Sequence, residues 1–278
     1  MGEIDVHGAI ETGDARRVII RDVAYFIPTD EGLQPVPEAR SPWSADMLHG
    51  RLLSGLAARA VELDFPDAHY RVARLTLDMF RFPPMQPFTA TTRVARDGRR
   101  VRAVDVSITC AGVEVARASV LLLRTGTHPE ATVWQPDVWH VPAPEELEPP
   151  PEMADSGWEI RLVSEGGFWS DARKQAWSRD GWSLVEGEEM SPLVRVAIAS
   201  DLPNPMANSG PEGLQFINPD LTMFLAREPT SEWIGLDVTG HVGADGIAIG
   251  TCALYDLKGP IGYSTVCGLA NEVLAPNE

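Results

Sequence analysis

Among long apolar stretches of this 278-residue chain, a few polar side chains stand where they can act on a carbonyl group. Asp201 follows Leu193–Ser200, which is apolar almost throughout, and is expected in the last turn of a buried helix. The negative end of the helix dipole and the loss of water both favour the neutral acid there, raising its pKa toward the range of a general base. So placed, Asp201 can polarise a water for attack on a carbonyl carbon; alternatively, it only helps to stop the helix before Leu202-Pro203. Asn218 can donate an amide hydrogen bond to a carbonyl oxygen or hold that water in line, although Asn-Pro-Asp is also a good turn at a strand entrance. Asp220 is a second carboxylate close by, better suited to a turn or a salt bridge.

His49-Gly50 stands near the start of another apolar helix. Free backbone N–H groups at a helix start can stabilise a developing oxyanion, and glycine lets a substrate approach closely; a histidine there can equally be a polar cap. Cys267 invites a nucleophilic reading, with His241 as the histidine that could approach it, but a small buried thiol packed in a strand is the better reading. No other histidine or cysteine lies at metal-ligand spacing from His49, so no metal and no cofactor is expected.

Two helices must position these groups. Ser41 to Leu63 is predicted helical beyond its opening, since Leu48, Leu52, Leu56 and Ala60 lie four apart and Leu53 and Ala57 widen the stripe. With Gly50, Gly55, Ala57 and Ala58 keeping the remaining surface small, this helix is apolar nearly all round, which means burial. Ser191-Pro192 fits an N-cap followed by proline at the first helical position. The helix after it runs through Leu193, Val194, Val196 and Ile198, and Pro203 and Pro205 are expected to end it. Strand-like runs surround both helices: Val18–Ile27, 68–81, 87–96 and 100–124 around the first; 158–183, 213–225, 232–241, 247–256 and 260–270 around the second. Val104, Val106, Ile108 and Cys110 alternate with Asp105, Ser107 and Thr109, the period of a sheet with one covered face. Arg96-Asp97-Gly98-Arg99, Ala111-Gly112, Ala244-Asp245-Gly246 and Lys258-Gly259 carry turn chemistry.

The two halves echo one another. Leu75, Thr76, Arg81 and Pro83 return at a fixed offset as Leu221, Thr222, Arg227 and Pro229; Asp97-Gly98 returns as Asp245-Gly246, Gly112 as Gly259, and Ser41-Pro42 as Ser191-Pro192. Their shared order implies two similar domains and a site where they meet. Between Thr125 and Ser156, Pro129, Pro136, Pro142, Pro144, Pro149, Pro150 and Pro151 alternate with acidic residues, which excludes helix interiors and central strands. Residues 1–125 and 157–278 are therefore read as the domains and 126–156 as an extended linker, with Trp134, Val138 and Trp139 pinning part of it to a domain surface. A lone apolar helix followed by a meander of antiparallel strands is solved by curling the sheet around the helix. That α+β arrangement is the hot dog, here in tandem; the alternative is two α+β domains without a shared interface.

The 23 basic and 40 acidic side chains give a net charge of −17, which works against broad binding to nucleic acid or anionic lipid. Arg93, Arg96, Arg99, Arg100 and Arg102 form the single basic run and read as a solvated hairpin. Three cysteines without paired spacing suggest a reducing compartment. The opening segment, with Glu3, Asp5 and Glu11, lacks an apolar run, so no signal peptide is expected, and nothing approaches the roughly 20 apolar residues of a membrane span. These features point to a cytoplasmic protein.

Several stretches taken in order resemble the double hot-dog acyl-CoA thioesterases of the thioesterase II-like group, especially their actinobacterial thioesterase-like relatives. They are Trp43 through His49-Gly50 to Ala60; Trp177-Ser178-Arg179 with Gly187-Glu188; Ser191-Pro192-Leu193 to Asp201; Asn218-Pro219-Asp220-Leu221-Thr222; Glu232 to Asp237; and Leu254-Tyr255-Asp256 through Gly262. The resemblance spans roughly residues 18–270. It implies hydrolysis of a fatty acyl-CoA or acyl-carrier thioester at a site between the hot dogs. That site uses an aspartate at the end of the second helix, a hydroxyl residue on the next strand and a glutamine on the last strand. Asp201 matches the aspartate. The hydroxyl position falls at Ile217 or Asn218 and the glutamine position at Cys267, so two of the three depart from the pattern. Where relatives often carry a second glycine this chain has Arg51, which would narrow the site or supply a cation for a CoA phosphate. A hydrophobic acyl tunnel between or beneath the helices is expected, and a homodimer is compatible. Two rival functions follow: a non-catalytic acyl-thioester-binding protein, favoured by the departures, and a hot-dog hydratase or dehydratase, which would need His49 paired with Asp201.

Overall fold

The computed structural model describes residues 23–137, 139–148 and 157–274, of which 272–274 by backbone alone. The first part of the strand predicted from Val18, Val138 of the linker, its Pro149–Ser156 end and the acidic N-terminal segment lie outside the described residues.

The first half contains β1 (Ala24–Thr29), β2 (Gly32–Pro35), β3 (Arg40–Ser41), β4 (Ser44–Leu48), α1 (Arg51–Asp64), β5 (Tyr70–Met79), β6 (Phe88–Asp97), β7 (Val101–Cys110) and β8 (Val113–Arg124). The second contains β9 (Trp158–Leu162), β10 (Gln175–Asp180), β11 (Ser183–Val185), α2 (Pro192–Ala199), α3 (Pro203–Ala207), β12 (Ser209–Gly210), β13 (Gly213–Ile217), β14 (Asp220–Leu225), β15 (Ile234–Ala244), β16 (Ile247–Asp256) and β17 (Gly259–Leu274). No helix among the described residues is long and apolar enough to cross a membrane.

One antiparallel sheet runs through both halves in the order β1-β2-β6-β7-β8-β5-β14-β17-β16-β15-β10-β9, with β11 added in parallel to β1. The order reads alike from either end toward the β5–β14 seam. Along that seam Thr76 pairs with Thr222, Leu75 with Met223 and Leu77 with Leu221, and the two threonine hydroxyls are 3.2 Å apart. Thr76 and Thr222 are the very residues that echo one another, so a pseudo-two-fold axis passes between them. The shared sheet rules out two α+β domains without an interface.

Each half curls its strands about one helix. Val104, Val106, Ile108 and Cys110 of β7 turn inward in alternation onto Leu52, Leu53, Leu56 and Val61 of α1, while Leu193, Val196 and Ile198 of α2 are buried in the second half. This is the tandem hot dog expected from the patterning. The hairpin signals hold as well: Ala111-Gly112 and Asp245-Gly246 have positive φ at both central residues (48° and 77°; 52° and 77°), the type I′ geometry that matches strand twist. The arginine run lies at the β6–β7 hairpin, where Arg93 pairs with Asp105 and Arg102 with Asp97.

The helices run antiparallel and touch. Ser54 Oγ donates to the Ala197 carbonyl at 2.7 Å, and a β-carbon built on Gly55 would come within 2.8 Å of Ile198 Cγ1. Glycine at this crossing lets the backbones approach, and it leaves no room for an acyl chain between the helices there.

Four expectations need correction. The first helix starts at Arg51, because Ser41–Leu48 instead forms the β3–β4 hairpin, held by the Trp43 amide donating to Ser41 Oγ and the Leu48 amide to the Pro83 carbonyl. Consequently Ser191 does N-cap α2, accepting from the Val194 amide at 3.1 Å, whereas Ser41-Pro42 caps no helix. Pro203 opens α3 rather than merely ending α2, since proline is tolerated in the first turn where no intrahelical acceptor is needed. Finally, 158–183 holds two strands, β9 and β10, with 163–174 outside any strand and β11 beginning only at Ser183, and Trp134 is 84% exposed and pins nothing. Trp139 packs against the second half, its ring centroid lying 4.6 Å from that of Tyr255 and 5.1 Å from that of Trp177.

Candidate active site

Asp201 lies one residue past Ser200, the C-cap of α2, in the short turn before α3, not in the last helical turn as expected. The carbonyls that end α2 are partly satisfied from outside: Ser264 Oγ on β17 donates to the Ser200 carbonyl at 2.6 Å. Asp201 is buried, and burial pushes its carboxyl pKa up, while the Asn218 amide and the charge of Arg51 pull it partway back.

The two carboxylate oxygens face different partners. Asn218 Nδ2 donates to Asp201 Oδ1 at 2.8 Å. Oδ2 faces the first half: a β-carbon built on Gly50 would sit 3.8 Å from it and 3.4 Å from Met79 Sδ. Gly50 heads α1. The Leu52 and Leu53 amides are spent on the His49 and Gly50 carbonyls, and the Gly50 and Arg51 amides lie before any intrahelical acceptor. One oxygen of a buried acid thus faces a helix start supplied by the other half.

Asn218 stands in the break between β13 and β14, where Pro219 cannot donate to a ladder. Of the two positions considered for the strand residue, Asn218 reaches Asp201, whereas Ile217 pairs with Leu269 in the sheet. Asn218 Nδ2 also donates to the Asp220 carbonyl at 2.9 Å, tying the break to the start of β14. The Asp220 side chain takes a different direction. Its Oδ1 accepts the Cys267 backbone N–H at 2.7 Å, and burial raises its pKa against that bond.

Cys267 is an exposed thiol on β17, not the small buried one expected. Partial burial and then the neighbouring Asp220 carboxylate push its pKa up, which lowers its thiolate fraction and argues against a nucleophile. His241, considered as its partner, instead places Nδ1 3.0 Å from Asn208 Oδ1.

His49 is half-buried, and desolvation followed by the Arg51 charge holds its pKa well below the usual histidine range, so the ring is neutral. It packs edge-on against Trp158 at 5.6 Å between centroids. Arg51 departs from what the resemblance suggested. Its guanidinium donates to Asp180 Oδ1 at 2.6 Å and to Tyr25 Oη at 2.8 Å and is almost wholly buried, so it offers no cation to a phosphate. Sequence reasoning did not find Asp180, Tyr25 or Met79. An arginine opening a helix with an apolar first turn and a half was a signal that a buried acid must exist; nothing in the sequence pointed to Met79.

Two clefts, of about 340 and 390 Å³, are described on the surface; Asp201 lines neither. The larger lies at the opposite ends of the two helices, around Arg59, Glu62, Glu188 and Ser191.

Residues 39–123 match the pattern described as the acyl-CoA thioesterase N-terminal domain, and residues 132–266 match the acyl-CoA thioesterase C-terminal domain. The chain belongs to the acyl-CoA thioesterase family. Among curated proteins none matches at a significant level. Several solved structures share the fold. An acyl-CoA thioesterase II, TesB2, from Mycobacterium marinum is 19% identical over 80% of this chain and 90% of its own, with a TM-score of 0.61. The tesB protein of Mycobacterium avium subs paratuberculosis is 17% identical over 84% and 91%, at 0.65. A hot-dog protein of unknown function from Alicyclobacillus acidocaldarius is 14% identical over 86% and 92%, at 0.67. At these identities the likeness speaks for the fold alone.

Proposed function

We propose that this protein hydrolyses an acyl-CoA or acyl-carrier thioester, with Asp201 directing the attacking water. The observation that carries the reading is the pair of contacts at Asp201: one oxygen fixed by Asn218, the other facing the start of α1 across the boundary between halves. A water on Oδ2 would lie beside a carbonyl whose oxygen points at the Gly50 and Arg51 amides. Asp201 takes the water proton as the C–O bond forms, the amides stabilise the oxyanion, and collapse expels the thiolate, which receives that proton. A general base working near neutral pH benefits from a raised carboxyl pKa, and burial supplies it.

Asn218 serves here as an orienting amide in place of a hydroxyl, and His49, Asp220 and Cys267 shape the surroundings without touching the reacting atoms. Among the described residues no hydrogen bond joins His49 to Asp201, so the hydratase or dehydratase chemistry that would need this pair has less support. The cysteines Cys110, Cys252 and Cys267 are all free, which supports a reducing, cytoplasmic setting.

The test offers purified protein acyl-CoA esters of graded chain length and follows free CoA. Release at several chain lengths, falling at least about 100-fold in Asp201→Ala, is the expected result. Tight binding of a long-chain ester without turnover would make the protein an acyl-thioester carrier, and a hydroxyacyl product would make it a hydratase.

A further inference from the structure

Beside the candidate site lies a constellation that the reaction above leaves unused. Arg51, the first residue of α1, reaches Asp180 on β10 and Tyr25 on β1, and its guanidinium lies 4.4 Å from the Trp158 ring of β9 and 5.0 Å from that of Tyr25. Asp180 Oδ1 also accepts from Tyr25 Oη at 2.7 Å, and Arg195 of α2 donates to the Asp180 carbonyl at 2.8 Å. The group therefore ties the start of α1 to β1, to the neighbouring strands β9 and β10 of the second half, and to α2.

Stability does not explain this arrangement. Burying two charges costs about as much as their attraction returns, and apolar residues of the same volume usually serve as well or better. A cation at the first position of a helix faces the positive end of the dipole. Arg51 Nε is buried without a hydrogen-bond partner, a third cost. All three fall on the residue that follows Gly50, the residue facing Asp201.

We propose that the Arg51–Asp180 ion pair is the positioning device of the candidate site: it seats the start of α1 across the boundary between the halves and keeps a positive charge within electrostatic reach of Asp201. This rests on reading Asp201 as the base. Asn218 and Arg51 are the groups that act on Asp201, while Asp180, Tyr25 and His49 surround Arg51. The charge opposes the effect of burial on Asp201, so that the acid ionises at a lower pH than burial alone would permit. It also disfavours protonation of His49, which keeps a competing cation out of the site.

The test replaces the pair by apolar residues of similar size, Arg51→Met with Asp180→Leu, and titrates the Asp201 carboxyl by carbon-13 NMR in wild type and variant. Its midpoint should rise by about one pH unit, and the acidic limb of kcat/KM for acyl-CoA hydrolysis should rise with it. Arg51→Lys, which keeps the charge, should restore the wild-type limb at a lower rate. A folded double variant in which Asp201 titrates as in wild type would overturn the proposal. Should that variant not fold, Arg51→Gln with Asp180→Asn is read in the same way; if neither folds, the pair is a structural strut and the proposal fails. The NMR midpoint needs no turnover, so a protein that proves unable to hydrolyse thioesters still decides this question separately.

Discussion

Burial lifts the pKa of Asp201, so the folded protein holds that proton more tightly than the unfolded chain does. The sign follows: the contribution favours folding below the ordinary aspartate range and is lost as pH rises through the raised value. Above that raised value the ionised, buried Asp201 weighs against stability while it serves the reaction. Asp201→Asn keeps an oxygen to accept the Asn218 amide and removes the charge. We expect it to raise Tm by about 2–4 °C near neutral pH, the scale of about 1 kcal/mol in a chain of this size, while hydrolysis falls by about 10²–10⁴-fold. Calorimetry at about pH 8 and about pH 5 checks the origin, because the gain should shrink at the lower value; equal gains at both would assign it to packing. Asp201 was legible as a carboxylate closing an apolar run. The meaning of Arg51 was not, because its partner Asp180 is 129 positions away and only the fold brings them together.

At the scale of elements, the small residues of α1 matter as much as its leucines. Gly55 sits where the helices cross, and an added β-carbon would meet Ile198 Cγ1 at 2.8 Å and Leu184 Cδ1 at 3.3 Å. Gly55→Leu should overpack this contact and cost about 1–3 kcal/mol, read as a lower denaturation midpoint at unchanged m. At the far end of the helices, Ser191 Oγ caps α2 and donates to Glu62 Oε2 at 2.6 Å. Ser191→Ala should cost about 1 kcal/mol through the lost cap; a change below a few tenths would mean that water replaces the hydroxyl. The cap and the hairpin turns could be read in advance because their signals are local. The start of α1 could not. Leu48 falls on the helical period by coincidence, and its strand is selected by tertiary bonds to Pro83 that spacing does not encode.

At the scale of the molecule, the repeated residues turn out to mark an axis rather than two separate modules. Thr76 and Thr222 face each other in the central ladder, β11 of the second half lies against β1 of the first, and Arg59 forms a two-pronged ion pair with Glu188 across the boundary. The echo revealed that there were two similar halves, but not that they shared a sheet, since strand partners carry no local signature. The linker is accordingly expected to be dispensable for holding the halves together once the protein has folded. Residues 126–137 are exposed and without helix or strand, so a protease recognition sequence inserted after Glu130 should be accessible. After cleavage the two fragments should elute as one particle of unchanged size and keep thioesterase activity, because Gly50 comes from one fragment and Asp201 with Asn218 from the other. Separated in denaturant, neither fragment should hydrolyse acyl-CoA, and refolding them together should restore it. Fragments that part under native conditions would show that the β5–β14 ladder and the helix crossing are too weak to join the halves, and that the linker supplies the missing effective concentration.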